Sequence, residues 1–260
     1  MIGLGFRREM LDWSLDAITA DFFEVVPENW IRRDRTPLHT IRHTGRPIYL
    51  HGVSLSLGGH APINTDFLHQ IKTLMMELES PHYSDHLAAS GDAHQLYDLF
   101  PIPLTMQEAI RVSNRIIQAQ DALGCTIAVE NATWYTNIGD MSEPEFINEI
   151  LDRSGCQLLL DVNNIVVNEK NHHLIGLERF VSQIDPMRIS YIHVAGHEYD
   201  ERFGMYIDTH SQPVEPTTQK MARHLAQQHD LDILLEWDND VPDINAINQE
   251  LSCLRLSTTM

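Results

Sequence analysis

Six short apolar runs of this sequence end on a side chain that can bind a metal ion. His51 closes PIYLH, His86 closes HYSDH, Glu130 closes TIAVE, Asp161 closes QLLLD, His193 closes ISYIH and Glu236 closes DILLE. A single imidazole or carboxylate in that place is ordinarily a satisfied polar group at a strand end. Six in succession are costly to bury unless they are paired or share a cation, so the series points to convergence on metal. The loop after ISYIH adds Asp208-Thr209-His210, in which extended chain would turn both ligands to one side. Asn164, in DVNN, would stand where the strand of Asp161 turns into its loop. Together these N and O donors exceed the roughly three to five that one ion needs, so two or three metals fit better. Cysteine is missing from the set, which suits iron, manganese or zinc and argues against an iron–sulfur cluster.

Neighbouring residues carry weaker signals. Asp85 could orient an imidazole from behind, or stand solvated in a loop. Glu24, Glu28 and Asn29 in FFEVVPENW read as pocket lining or loop caps rather than ligands, and Asp238 as part of a polar rim. Trp134, Tyr135 and Trp237 follow ligand-bearing runs and read as core packing or pocket walls. His197 reads as substrate-side or exposed, and His69, His224 and His229 as helix-surface residues. No G-x-G-x-x-G, Walker loop, G-x-S-x-G or Cys-x-x-Cys stands where its chemistry would need it. Metals are therefore the main reagent, and no catalytic side chain is assigned beyond their ligands.

The elements that must position these donors recur evenly. Eight apolar runs, at residues 2–6, 21–26, 47–51, 82–86, 126–130, 157–161, 189–193 and 232–236, alternate with segments of helical periodicity. Asn64, Thr105 and Ser142 are placed to cap helices, Pro216 opens another, and a sixth helix can lie within 174–183. Gly124-Cys125 and Gly155-Cys156 each end a helix and enter a strand. Eight such units predict an α/β fold, a (β/α)8 TIM barrel spanning residues 1–260 as one domain, with its site at the C-terminal strand ends. The long connection at 87–105 reads as a lid or a substrate-side loop.

Composition narrows the partners. With 37 acidic against 18 basic side chains the formal charge is -19, which would repel a phosphate backbone and argues against nucleic acid. Fifteen histidines beside so many carboxylates leave room for bound cations to neutralise part of that charge. No apolar stretch reaches the length of a membrane span or a signal peptide, so a soluble protein is expected, with no membrane partner. Three cysteines, odd in number and widely spaced, favour a reducing, cytoplasmic setting.

The runs YLHGVSLSLG, YSDHLA, VENATWY, LLDVNN, YIHVAGHE, DTHSQPV and LLEWDND, in this order, resemble the multinuclear non-haem iron-dependent oxidative enzymes. The resemblance extends from GLGFR to LLEWDND. It implies a xylose isomerase-like TIM barrel holding two to three Fe ions, with Zn or Mn able to replace them in a recombinant sample. It further implies O2-dependent oxidation of a residue, typically Cys, in a ribosomally made peptide whose thiolate binds one iron. Carried over by motif, His51, His86 and Glu130 would hold one iron, and Asp161, His193 and Glu236 a second, with Glu130 bridging. Asn164, Asp208 and His210 would hold the third. A separate peptide-recognition partner protein is expected. Two other readings compete: a divalent-metal hydrolase or isomerase of the xylose isomerase-like and endonuclease barrels, and a metal-loaded peptide-binding module without turnover.

Overall fold

Strand alternation decides what fills the centre of this molecule. The computed structural model describes residues 1–91, 99–136 and 138–255. Its central strands are β1 (Ile2–Gly5), β2 (Phe22–Val25), β3 (Ile48–Gly52), β4 (Tyr83–His86), β5 (Ala128–Glu130), β6 (Gln157–Asp161) and β7 (Ile189–Val194). A short antiparallel pair, β8 (Glu198–Asp200) and β9 (Met205–Ile207), precedes the last barrel strand, β10 (Ile233–Leu235). The eight long-range strands are parallel and close into a barrel in the order β1-β10-β7-β6-β5-β4-β3-β2. This is the predicted (β/α)8 architecture.

Residues two apart in a strand share a face. Phe22, Tyr49, Ala128, Leu159, Tyr191 and Leu234 form a cluster of their own, separate from the main core between strands and helices. They make a plug inside the barrel. Gly3 belongs to the same layer: a Cβ there would lie 2.3 Å from the Phe22 ring, so only glycine leaves the ring its space. Two residues further along each of these strands stand Glu24, His51, Glu130, Asp161 and His193, with Glu236 just past β10. The polar layer therefore sits directly on an apolar floor.

The helices are α1 (Thr36–His43), α2 (Thr65–Leu78), α3 (Met106–Leu123), α4 (Glu143–Ser154), α5 (Val162–His172), α6 (Leu177–Val181), α7 (Pro216–His229) and α8 (Ile244–Leu254). Three expected starts are present. Asn64 Oδ1 accepts from Phe67 N at 3.0 Å, Thr105 Oγ1 from Glu108 N at 3.3 Å, and Glu145 Oε2 accepts both Ser142 N and Oγ. Gly124 and Gly155 end α3 and α4 at φ 77° and 68°, in the left-handed region.

Three expectations change. Asn164 does not lie in a loop: α5 begins directly after Asp161, whose carboxylate caps it by accepting from Asn164 N at 2.6 Å. The helix expected within 174–183 is only the five-residue α6. The β8–β9 hairpin is not foreseen, because β8 is charged and mostly exposed and both strands have only three residues. Part of the 87–105 connection, 92–98, lies outside the described residues; on either side Ala89 and Phe100 pair as an antiparallel bridge. Among the described residues no helix is long and apolar enough to cross a membrane.

Candidate metal centre

Strand register brings the donors together. Asp161 lies beside His193 across β6 and β7, and His86 beside Glu130 across β4 and β5. Among the described residues three groups result. His51, His86 and Glu130 form the first, Glu130, Asp161, His193 and Glu236 the second, and His210, Glu236 and Asp238 the third; within each, one atom per residue lies within 4.8 Å of the others. Glu130 belongs to the first two and Glu236 to the last two.

In the first group His51 Nε2 and His86 Nε2 lie 3.1 and 3.4 Å from Glu130 Oε2. In the second His193 Nδ1 lies 3.2 Å from Glu236 Oε2 and 3.6 Å from Glu130 Oε1. Yet Glu130 Oε2, Asp161 Oδ2 and His193 Nδ1 are buried atoms with no hydrogen-bond partner. Orphaned buried donors and acceptors are rare and call for a missing partner. Cations would supply those partners, one beside Glu130 Oε2 in the first group and one beside Asp161 and His193 Nδ1 in the second, so the residues fit metals.

The electrostatics agree. Burial alone would lower the His51 and His193 pKa values, but the neighbouring carboxylates outweigh it, raising His51 to about 9 and His193 well above its ordinary range. Burial, followed by the charges of Glu130 and Asp208, pushes Asp161 well above the usual carboxylate range. Burial would also raise Glu236, but His193 and His210 hold it well below normal. A divalent ion bound here would replace the extra ring protons and favour the ionised form of Asp161.

Asp208 and His210 do meet, Oδ1 to Nε2 at 2.8 Å, but not as extended chain. His210 takes a left-handed φ of 48°, and its amide donates to Gly196 O while its carbonyl accepts from Asp238 N. Asn164 is not drawn in the same way to this pair. Its Oδ1 accepts from Thr133 Oγ1 at 2.6 Å, and its Nδ2 donates to Asn131 O at 2.9 Å and faces Glu130 Oε1 at 3.5 Å. It is Asn163 that bonds Asp208, at 2.6 Å.

Other placements differ from the sequence reading for Asp85, His197 and Glu24, and agree with it for Glu28, Trp134 and Trp237. Asp85 neither touches an imidazole ring nor faces solvent: buried, it accepts from Tyr83 Oη, Leu55 N and His86 N, and burial raises its pKa to about 7. His197 is buried, between Asn163 Oδ1 at 2.7 Å and Lys170 Nζ at 2.7 Å. Glu28 caps the loop after β3 through Val53 N and Ser54, whereas Glu24 lies inside the barrel against His193. Trp134 and Trp237 are buried, while Tyr135 is partly exposed and its Oη accepts from Asp208 N. Asp238 is held by Arg7, which also reaches Glu236 Oε1 at 3.0 Å. Arg7 carries no periodicity signal and was missed; a cation inside GLGF-Arg, at a strand end facing so many carboxylates, was the available clue.

A parallel barrel with clustered imidazoles and carboxylates at its C-terminal rim defines the class, the xylose isomerase-like TIM barrels. Solved structures of that class match closely in shape. The 3-keto-D-glucoside 4-epimerase of E. coli superposes with a TM-score of 0.63 at 13% identity, over 97% of this chain and 98% of that one. A xylose isomerase domain-containing protein of Salmonella typhimurium gives 0.63 at 10% identity, over 96% and 94%. At such identities the likeness concerns fold alone. Within the class, residues 1–258 match the family described as RiPP precursor modification enzyme MbnB/TglH/ChrH, and the chain belongs to that family. Relatives include a UPF0276 protein of Neisseria gonorrhoeae, 40% identical over 83% of this chain and 79% of its own length. Another, from Shewanella loihica, is 39% identical over 96% and 92%.

Proposed function

We propose that this protein is a cytoplasmic enzyme that uses a multinuclear iron centre and O2 to oxidise a residue, Cys, of a ribosomally made precursor peptide. The observation that carries this is the run of shared donors: Glu130 and Glu236 each stand in two groups of potential ligands. Shared carboxylates hold metals close together, as O2 chemistry on two or more irons requires. His51, His86 and Glu130 would hold one ion, and Glu130, Asp161, His193 and Glu236 a second. Asp208 and His210 would hold the third, with Glu236 and Asp238 beside His210; Asn164 would have to leave Thr133 and Asn131 to join them. Iron when bound supplies Lewis acidity toward the substrate thiol and electrons toward O2.

The chain's own residues do the rest. Arg7 offsets the charge of Glu236 and Asp238, which keeps the rim from being uniformly negative. The apolar floor of Phe22, Leu159 and Leu234 keeps water from below the donors. Beside Asn131 and Thr133 an apolar pocket lined by Leu87, Phe100, Ile102 and Trp134 would take an apolar side chain of the peptide. A separate protein would recognise the rest of the precursor.

The test is metal analysis of protein purified without oxygen, with Mössbauer spectroscopy of iron-57-grown material. Two to three irons per chain with a coupled pair support the reading. Stoichiometric zinc or manganese, with no O2 consumption after iron reconstitution, overturns it in favour of hydrolase or isomerase chemistry.

A further inference from the structure

Below the donors, two histidines from different metal groups rest on one continuous chain of hydrogen bonds. His193 Nε2 lies 3.0 Å from Glu24 Oε2, and Tyr191 Oη donates to the same oxygen at 2.6 Å. Ser84 Oγ stands 2.9 Å from Tyr191 Oη, and His51 Nδ1 stands 2.9 Å from Ser84 Oγ. Glu24, His51, Ser84, Tyr191 and His193 are all buried, so water does not compete for these contacts.

The chain has a direction. An ionised carboxylate only accepts. His193 must therefore carry a proton on Nε2, and Tyr191 commits its one hydroxyl proton to Glu24. Toward Ser84 the tyrosine can then only accept, so Ser84 donates to it. Ser84 has no proton left for His51, whose Nδ1 must be the donor. When each ring gives up its extra proton to bind a metal, the lone pairs fall on His51 Nε2 and His193 Nδ1. These are the atoms that face Glu130 and Glu236 across 3.1 and 3.2 Å.

We propose that Glu24 is a positioning residue that sets the ring tautomers of both His51 and His193, directly for His193 and through Tyr191 and Ser84 for His51. One carboxylate outside the donor set thus presents two imidazole lone pairs, one to each of two adjacent metal groups. The usual arrangement gives each ligating histidine its own carboxylate or carbonyl partner. Here one partner serves two, and a change at either ring is felt at the other.

The inference rests on the reading of the cluster as a metal centre, and zinc separates the two. The full chain, labelled with nitrogen-15 in histidine, is loaded with zinc and its ring protons are mapped by long-range proton–nitrogen correlation. Failure of the unsubstituted protein to bind zinc sinks the metal reading, and the inference with it. Zinc bound with His51 protonated on Nδ1 and His193 on Nε2 supports the inference; either ring in the opposite tautomer overturns it while leaving the metal reading intact.

Variants then test the link. Tyr191→Phe and Ser84→Ala are expected to lose the protected His51 ring proton and to weaken zinc at the first group by about tenfold to a hundredfold, with His193 unchanged. Ser84→Thr, which keeps the hydroxyl, restores the His51 signal, and Glu24→Gln disturbs both rings. A merely structural hydroxyl would alter stability and leave the tautomers alone. An unchanged His51 proton and zinc affinity in Tyr191→Phe overturns the relay, and should that variant fail to fold, the tautomers of the unsubstituted chain decide the question.

Discussion

Glu130 stands 3.1 Å from His51, Oε2 to Nε2, while its other oxygen, Oε1, faces away toward the second group of donors. One carboxylate therefore spans two groups of candidate ligands. Removing it affects both, whereas His86 serves the first alone. Glu130→Ala is expected to lose two ions per chain and His86→Ala one, with far-ultraviolet circular dichroism unchanged in both. Elemental analysis of the purified variants checks this, and full metal retention in both would mean the centre lies elsewhere.

Metal removal should destabilise the barrel. The donors are buried at 0–4% exposure for His51, Glu130, Asp161, His193 and Glu236, and without ions the orphaned atoms of Glu130, Asp161 and His193 stay unsatisfied. A ligand held at a thousandfold above its dissociation constant stabilises by about 4 kcal/mol. Calorimetry before and after chelation is expected to show a lower thermal midpoint in the stripped protein, recovered when metal is returned.

Gly196 tests the loop that carries Asp208 and His210. A Cβ at Gly196 would stand 2.0 Å from Gln212 O, and the Gly196 carbonyl accepts from His210 N. Gly196→Ala must push this backbone apart. The expected result is loss of the third ion, with the other two kept and no ligand changed. Equal loss of all metals would show that the loop is not independent of the barrel.

Glu143 gives a pH signature. Burial raises its pKa to about 7, even though Trp134 Nε1 and Asn168 donate to it. The folded chain thus holds a proton that the unfolded chain releases near its ordinary value of 4.5. Stability falls as pH rises from that value through about 7, and the cost is fully present above it. Glu143→Gln removes the cost. Urea titrations should find the variant more stable at pH 8, by on the order of 3 kcal/mol at most, and equal to the parent at pH 4.5.

The barrel and its rim are legible because strand parity repeats on every unit and a ligand type ends six of the eight runs. The same parity contained the floor: Phe22 and Glu24, Tyr49 and His51, and Tyr191 and His193 are pairs two apart. Glu24 was nevertheless read as pocket lining or a loop cap, since a single sequence does not show which of two adjacent residues points inward. The burial of Asp85 and of His197, for which exposure is one of the two sequence readings, escapes for a related reason. Their partners, Tyr83 with Leu55 and Lys170 with Asn163, come from local packing that spacing does not encode. The hairpin escaped because strands of three residues lack a period to detect.

That hairpin divides the rim by how firmly its ligands are held. His51, Glu130, Asp161 and His193 lie on strands bonded on both sides in a closed barrel, so freeing any one requires global opening. Asp208 and His210 follow β9, which pairs with β8 on one side and is sealed on the other by Asn171, whose amide meets Tyr206 N and O at 2.8 Å. Local opening there costs far less than unfolding the barrel. Backbone amides of 205–207 should therefore exchange with deuterium well before those of β7, and an ion held by Asp208 and His210 would be the first to leave a filled centre.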